Sequence, residues 1–180
     1  MLIRAAQSQL LVVDVQERLA PAVQNAGRIV ARTRILLDAA GLVQVPVTVS
    51  EQYPKGLGAT LPALAPLPRG TTVLDKVAFS CWREPRLRSA IEAAKRPQVV
   101  LCGMETHVCV LQTAVDLREA GLDVFVVADA VGSRAEESRR LGLERMRDRG
   151  IDVVDSEMVV FEWAERAGTD LFRALVGLVK

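Results

Sequence analysis

The apolar positions of the chain fall into short unbroken runs that alternate with stretches of helical period. Gln9 to Val15, QLLVVDV, is apolar almost throughout and predicts a strand covered on both faces. The period then lengthens. Ile29, Val30, Thr33, Leu36 and Leu37 put an apolar stripe on a helix over Gly27–Ala40, with Gly41 expected to end it. Val43–Val49 reads as a second strand, and Pro46 inside it predicts an edge or an irregular ladder. A loop at Ser50–Gly58, a proline-rich connection at Ala59–Gly70 and a short strand at Thr72–Leu74 follow. Glu84–Lys95 and Ala135–Arg149 read as helices, the second opened by a Ser133/Glu136 capping box. Strands are expected at Val99–Leu101, Asp123–Ala128 and Ile151–Val154, with a helical tail from Ser156. Such alternation predicts an α/β fold, a three-layer α/β/α sandwich around a mainly parallel, Rossmann-like sheet.

Composition narrows the class without naming a chemistry. The 180 residues predict one domain, 1–180, with room for a sizeable core. Half of them are hydrophobic and a quarter charged, and the net charge is +1 with no basic stripe, so nucleic acid is not expected as a partner. No apolar run approaches a membrane span. Asp14 cuts the first apolar run, which argues against a signal peptide. Three cysteines, an odd number without framework spacing, suit a reducing cytoplasm.

The chemistry gathers around Gln98–Gly121, QVVLCGMETHVCVLQTAVDLREAG. A buried strand should close at Cys102-Gly103, and a helix should begin after Met104-Glu105-Thr106, with Thr106 as its N-cap. Cys109 then lies in the first turn, where free amides and the helix dipole favour a thiolate. A free cysteine is more often a small buried hydrophobe. What raises Cys109 above that is its company: Asp14 and Lys76 also fall at carboxyl ends of strands, where open α/β sheets bind ligands. A thiol needs a base to take its proton, and an ammonium nearby stabilises the thiolate. His107, the only histidine, is two residues from Cys109, about 200° around a helix, and so cannot serve as its base. It is expected at the surface or the helix start. Ligand spacing for a metal is absent, and neither a metal nor a cofactor is expected. Tyr53, Phe79 and Trp82 are candidate walls for a substrate, with core packing the alternative for Phe79.

LLVVDVQ, the lysine of DKVAFS, GMETHVCVLQTAVDLREAG and VVADAVGSR together resemble the isochorismatase-like cysteine hydrolases, from about Gln9 to about Trp163. The resemblance is to the branch of isochorismatase-domain-containing proteins, through the loop SEQYPKGLG. It implies a catalytic trio of Asp14, Lys76 and Cys109, a cis peptide at Met104–Glu105, and an oxyanion hole made by the backbone amides of Glu105 and Cys109. It also implies a small-molecule substrate and a homo-oligomer. Nicotinamidases of this family carry a metal-binding aspartate and histidines where this chain has Glu51 and Tyr53. True isochorismatases lack the cysteine and use the aspartate as an acid on a vinyl ether. The expectation is therefore a metal-independent hydrolase of a non-peptide carbon–nitrogen bond, acting through a thioester on Cys109. Vinyl-ether hydrolysis, and a non-catalytic binding or scaffold role, are the alternatives.

Overall fold

A computed structural model describes residues 1–180 and shows six parallel strands in one sheet. In chain order they are β1 (Ser8–Val13), β2 (Val47–Gln52), β3 (Thr72–Lys76), β4 (Gln98–Met104), β5 (Asp123–Gly132) and β6 (Asp152–Val154). Seven helices connect and flank them: α1 (Ala26–Val43), α2 (Pro54–Leu57), α3 (Pro85–Ala93), α4 (Leu111–Glu119), α5 (Glu136–Arg147), α6 (Ser156–Ala164) and α7 (Asp170–Val176). The alternation of side chains along each strand builds two cores. Leu10, Val12, Val100 and Phe125 face α1, α6 and α7, while Leu11, Val13, Leu101 and Val126 face α3, α4 and α5. This is the expected three-layer sandwich.

The strand order is β3-β2-β1-β4-β5-β6. From β1 the chain first builds outward through β2 and β3, then returns to add β4 on the other side of β1. The direction of winding reverses between β1 and β4, which is the switch point where open α/β sheets bind ligands. Gly103 tightens that junction. Its φ is 125°, and a methyl group on it would lie 1.9 Å from Val13 O, so only glycine lets β4 close against β1 at this level.

Several element ends differ from the sequence reading. Gly41 does not end α1, which continues to Val43, and Gln44 takes the left-handed terminal position instead. The second strand accordingly starts at Val47, not Val43. It lies inside the sheet between β3 and β1, and Pro46 precedes it, accepting the Leu10 amide on its carbonyl at 2.9 Å. Asp129-Ala130 do not end β5. The strand makes an irregular passage against β4 and runs on to Gly132, with Asp129 holding the Ser156 amide and hydroxyl at 2.8 and 2.6 Å. The capping box does not form either. Ala135 precedes α5, Ser133 bonds His107, and Glu136 pairs with Arg139.

Candidate active site

Asp14 leaves β1 with a left-handed backbone, φ 52°, while its amide is held by Ser50 O at 3.1 Å. Its carboxylate is fully buried. Ser50, on the neighbouring strand β2, donates its hydroxyl to Oδ1 at 2.7 Å. Lys76, the last residue of β3, brings its ammonium to 2.8 Å from Oδ2. The ammonium also donates to Gln52 Oε1 at 2.6 Å, Phe79 O at 3.0 Å and Ala78 O at 3.3 Å. Lys76 is among the largest side chains to be fully buried in the molecule. A buried lysine needs this density of acceptors, because an unpaired ammonium would not stay charged.

Cys109 lies beside this pair, close enough for Asp14 and Lys76 each to act on its protonation. The three expected groups are therefore together. The turn that carries Cys109 differs from expectation: Thr106–Val110 is π-helical, and α4 proper begins at Leu111. Glu105 O accepts from Val108 N at 3.1 Å and from Val110 N at 3.2 Å, bracketing Cys109 and leaving its amide out of both bonds. Thr106 does not cap the helix; its hydroxyl is buried without a partner. The expected cis peptide is present between Met104 and Glu105.

The electrostatics also correct the sequence reading. Burial pushes the Cys109 thiol well above its ordinary range, the Asp14 carboxylate pushes the same way, and Lys76 offsets only part. At neutral pH the resting residue is a thiol. The residue is only 6% exposed, and loss of solvent outweighs the helix start and the ammonium. Burial also raises Asp14, although Lys76, Ser50 and Cys109 work against it. Burial works against the charge on Lys76, but Asp14 and then Cys109 more than reverse it, and its pKa ends up raised. Asp14 with a raised pKa is a better acceptor for the thiol proton than an ordinary carboxylate.

The aromatic candidates separate. Tyr53 and Phe79 are 55% and 52% exposed, so Phe79 is not a core residue; its carbonyl is the one that binds Lys76. Trp82 lies under the Arg88 guanidinium, 4.7 Å from the ring centroid. It lines a groove of about 600 Å³ with Arg88, Glu92 and Lys95, and none of the trio reaches that groove. Cys81 sits in a short 3-10 turn, completely buried, and burial with the nearby Asp14 raises its thiol to about 11. His107 bonds Ser133 Oγ through Nδ1 at 2.9 Å. Glu51 holds Thr60 through its amide and hydroxyl, both at 2.7 Å. No group of three His, Cys, Asp or Glu side chains is placed to hold a metal ion, and no helix is long and apolar enough to cross a membrane.

The Isochorismatase domain matches residues 8–158, which contain all three strand ends and the turn. The chain belongs to the isochorismatase-like hydrolase family. Isochorismatase domain-containing protein 2A of Mus musculus is 36% identical over 174 residues, 96% of this chain and 82% of that protein. Secreted isochorismatase effector Isc1 of Phytophthora sojae is 37% identical over 180 residues, covering 96% of this chain and 84% of the relative. Among solved structures, that of MAR1 ribonuclease from Caenorhabditis elegans superposes with a TM-score of 0.94 at 37% identity, over 99% of this chain and 92% of that one.

Two residues that hold the site of this isochorismatase-like hydrolase, Ser50 and Gln52, are missing from the sequence reading. Gln52 bridges: its Oε1 takes the Lys76 ammonium, its Nε2 donates to Val77 O at 2.8 Å, and its backbone pairs with the Gln16 amide. The available signal is a polar pair at i, i+2 at the end of the strand, which puts both on one face at the carboxyl end.

Proposed function

We propose that this chain is a metal-independent hydrolase of a small molecule, cleaving a non-peptide carbon–nitrogen bond of an amide or ureido type through a thioester on Cys109. The observation that carries the reading is a fully buried Asp14–Lys76 ion pair with a thiol beside it, at the point where the sheet reverses. In this mechanism Asp14 takes the Cys109 proton as the sulfur attacks the carbonyl carbon. The backbone amides of Glu105 and Cys109 receive the oxyanion. The protonated Asp14 then gives its proton to the leaving nitrogen, and the carbon–nitrogen bond breaks. Water, deprotonated by Asp14, cleaves the thioester and returns the thiol. Lys76 keeps its charge throughout and holds both anionic partners. Tyr53 and Phe79 are exposed beside this chemistry and are proposed as substrate walls; Trp82 belongs to its own groove.

The test is acyl trapping. Wild type is incubated with a panel of small amides and ureido compounds, quenched in acid, digested and weighed. The expected result is an acyl adduct on the Cys109 peptide with the substrates that turn over. Turnover without any adduct, at quench times shorter than one cycle, would sink the thioester.

A second reading rests on the ribonuclease description of the C. elegans structure. Asp14 and Lys76 would then act on a phosphodiester and Cys109 would be dispensable. Release of nucleotides from RNA at equal rates by wild type and Cys109→Ala would favour it, and so would the absence of any adduct.

Thiol reactivity gives a further expectation. Under limiting iodoacetamide near neutral pH, Cys109 should be labelled before Cys81 and Cys102. Burial raises those two to about 11 and about 12, and both are fully enclosed. Cys109 is raised as well, so its advantage comes from its opening to solvent and from Asp14 as proton acceptor. Peptide mapping by mass spectrometry reads the order. Label on Cys81 with Cys109 untouched would make Cys109 a packing residue and favour a non-catalytic role.

A further inference from the structure

The side chains of Glu105 and His107, at the start of the turn that carries Cys109, are both gripped by the exit of β5. Glu105 Oε1 accepts from the Arg134 backbone amide at 3.2 Å and from Arg134 Nε at 3.0 Å. The Glu105 side chain is 11% exposed, while that of Arg134 is 64% exposed. Ser133 is buried and holds His107 Nδ1 at 2.9 Å. From a third direction Gly142 of α5 backs onto the turn. A methyl group there would lie 3.1 Å from His107 Cα and 3.3 Å from Thr106 O. The turn therefore has neighbours on three sides, and it needs them. Its pattern is π-helical and its Thr106 hydroxyl is unused, so its own hydrogen bonds define it less tightly than an α-helical start would. Glu105 is the hinge of the arrangement. Its carbonyl anchors Val108 and Val110, and its buried carboxylate is the handle by which Arg134 sets the orientation of the whole residue. Glutamate is rarely buried without a partner, and here the partner is one exposed arginine.

We infer that the Arg134–Glu105 ion pair is a positioning device for the oxyanion hole, resting on the proposed cysteine acyl-transfer reading. Arg134 does not touch the reacting atoms. It acts through Glu105, fixing the peptide whose amide meets the oxyanion. Ser133 and Gly142 hold the remaining two sides. The pair matters for carbonyl chemistry and not for the nucleophilicity of the sulfur, and that difference separates it from a merely structural role.

Two probes of the same thiol divide these effects. With p-nitrophenyl acetate, the sulfur bonds to the acetyl carbon through a tetrahedral oxyanion. The carbon–oxygen bond then breaks, p-nitrophenolate leaves with the electron pair, and the thiol proton stays on Asp14. With iodoacetamide, the sulfur displaces iodide at a saturated carbon, and no oxyanion forms. Arg134→Ala is expected to slow acylation about 10–100-fold, less than the loss of a whole donor, because misaligned amides remain present. Alkylation should stay within about 2-fold of wild type. Arg134→Lys, which keeps a cation within reach of Glu105, should recover part of the acylation rate. Thermal melting of each variant reports on folding; if Arg134→Ala does not fold, Glu105→Gln, whose amide oxygen still accepts from Arg134, takes its place with a smaller expected loss. Acylation at the wild-type rate, or a parallel fall in both reactions, would overturn the inference. Cys109→Ala is measured alongside. If it releases p-nitrophenolate as fast as wild type, the thioester reading fails and the positioning role falls with it. If it is silent while Arg134→Ala is fully active, only the positioning role fails.

Discussion

Asp14→Asn should lower turnover about 10²–10⁴-fold, the range of a positioned acid or base. The carboxylate has two duties in the proposed cycle, taking the thiol proton and protonating the leaving nitrogen, and an amide can do neither. The geometry of the substitution is conservative. Ser50 can still donate to the amide oxygen, so the loss should reside in kcat more than in KM. The same change should affect the thiol in the opposite sense. Asp14 is the second largest cause of the raised Cys109 pKa, after burial, and Lys76 opposes it. With the carboxylate gone, the thiolate becomes easier to form. Alkylation of Cys109 at alkaline pH should therefore be as fast as in wild type or faster, while hydrolysis collapses. Turnover that survives the substitution would remove Asp14 from the mechanism, and alkylation that falls with it would show that Asp14 mainly organises the site.

Lys76→Met should cost about 3–5 kcal/mol of stability at neutral pH, because it leaves one member of a buried ion pair uncompensated. Methionine fills most of the volume, so the loss is electrostatic: Asp14 keeps Ser50 but loses the ammonium at 2.8 Å, and the carbonyls of Ala78 and Phe79 lose their donor. The pH dependence follows from the two shifts. Asp14 is raised from 3.8, so its folded state favours the protonated form; that contribution is complete below pH 3.8 and is lost as pH climbs through the raised value. The Lys76 ammonium is what most strongly opposes this rise, so without it the deficit of the variant should shrink as pH is lowered. On the alkaline side, Lys76 is raised from 10.5, and its contribution is present below that value and lost as pH rises through the folded one. Wild type should lose stability there, and Lys76→Met should lack that loss. Denaturant titrations across pH check both arms; a deficit that does not change with pH would contradict the ion-pair account.

The sequence disclosed the fold and the three central groups for one reason. Asp14 and Cys109 each follow an apolar run that had to be a buried strand, Lys76 follows a short strand signal at Thr72–Leu74, and parallel sheets place ligands at those ends. The sequence carried less about what the groups do to one another. The thiolate expected of Cys109 was inferred from charges and a helix start, whereas burial, which depends on how the folded chain packs around the sulfur, decides the outcome. The polar pair Ser50 and Gln52 was in the sequence, but what Gln52 does with it comes from β2 lying between β1 and β3, a topological fact. Thr106 and Ser133 had the right chemistry for caps, but the π-helical turn and the His107 partnership claimed that space. Trp82 was a candidate substrate wall, and its ring lies under Arg88 in a groove that the trio does not line.

The place of Lys76 in the sheet has a consequence for how the molecule fails. β3 is an outermost strand, bonded only to β2, and most of its residues face solvent apart from the buried lysine at its end. Edge elements with few buried contacts open more readily than a core. Each such opening would draw the ammonium out of the cluster while β1, β4 and the bulk of both cores stay intact. Competence and integrity are thus set by different parts of the same sheet: the centre determines whether the chain is folded, and its margin determines what fraction of folded molecules is charged and ready at a given instant.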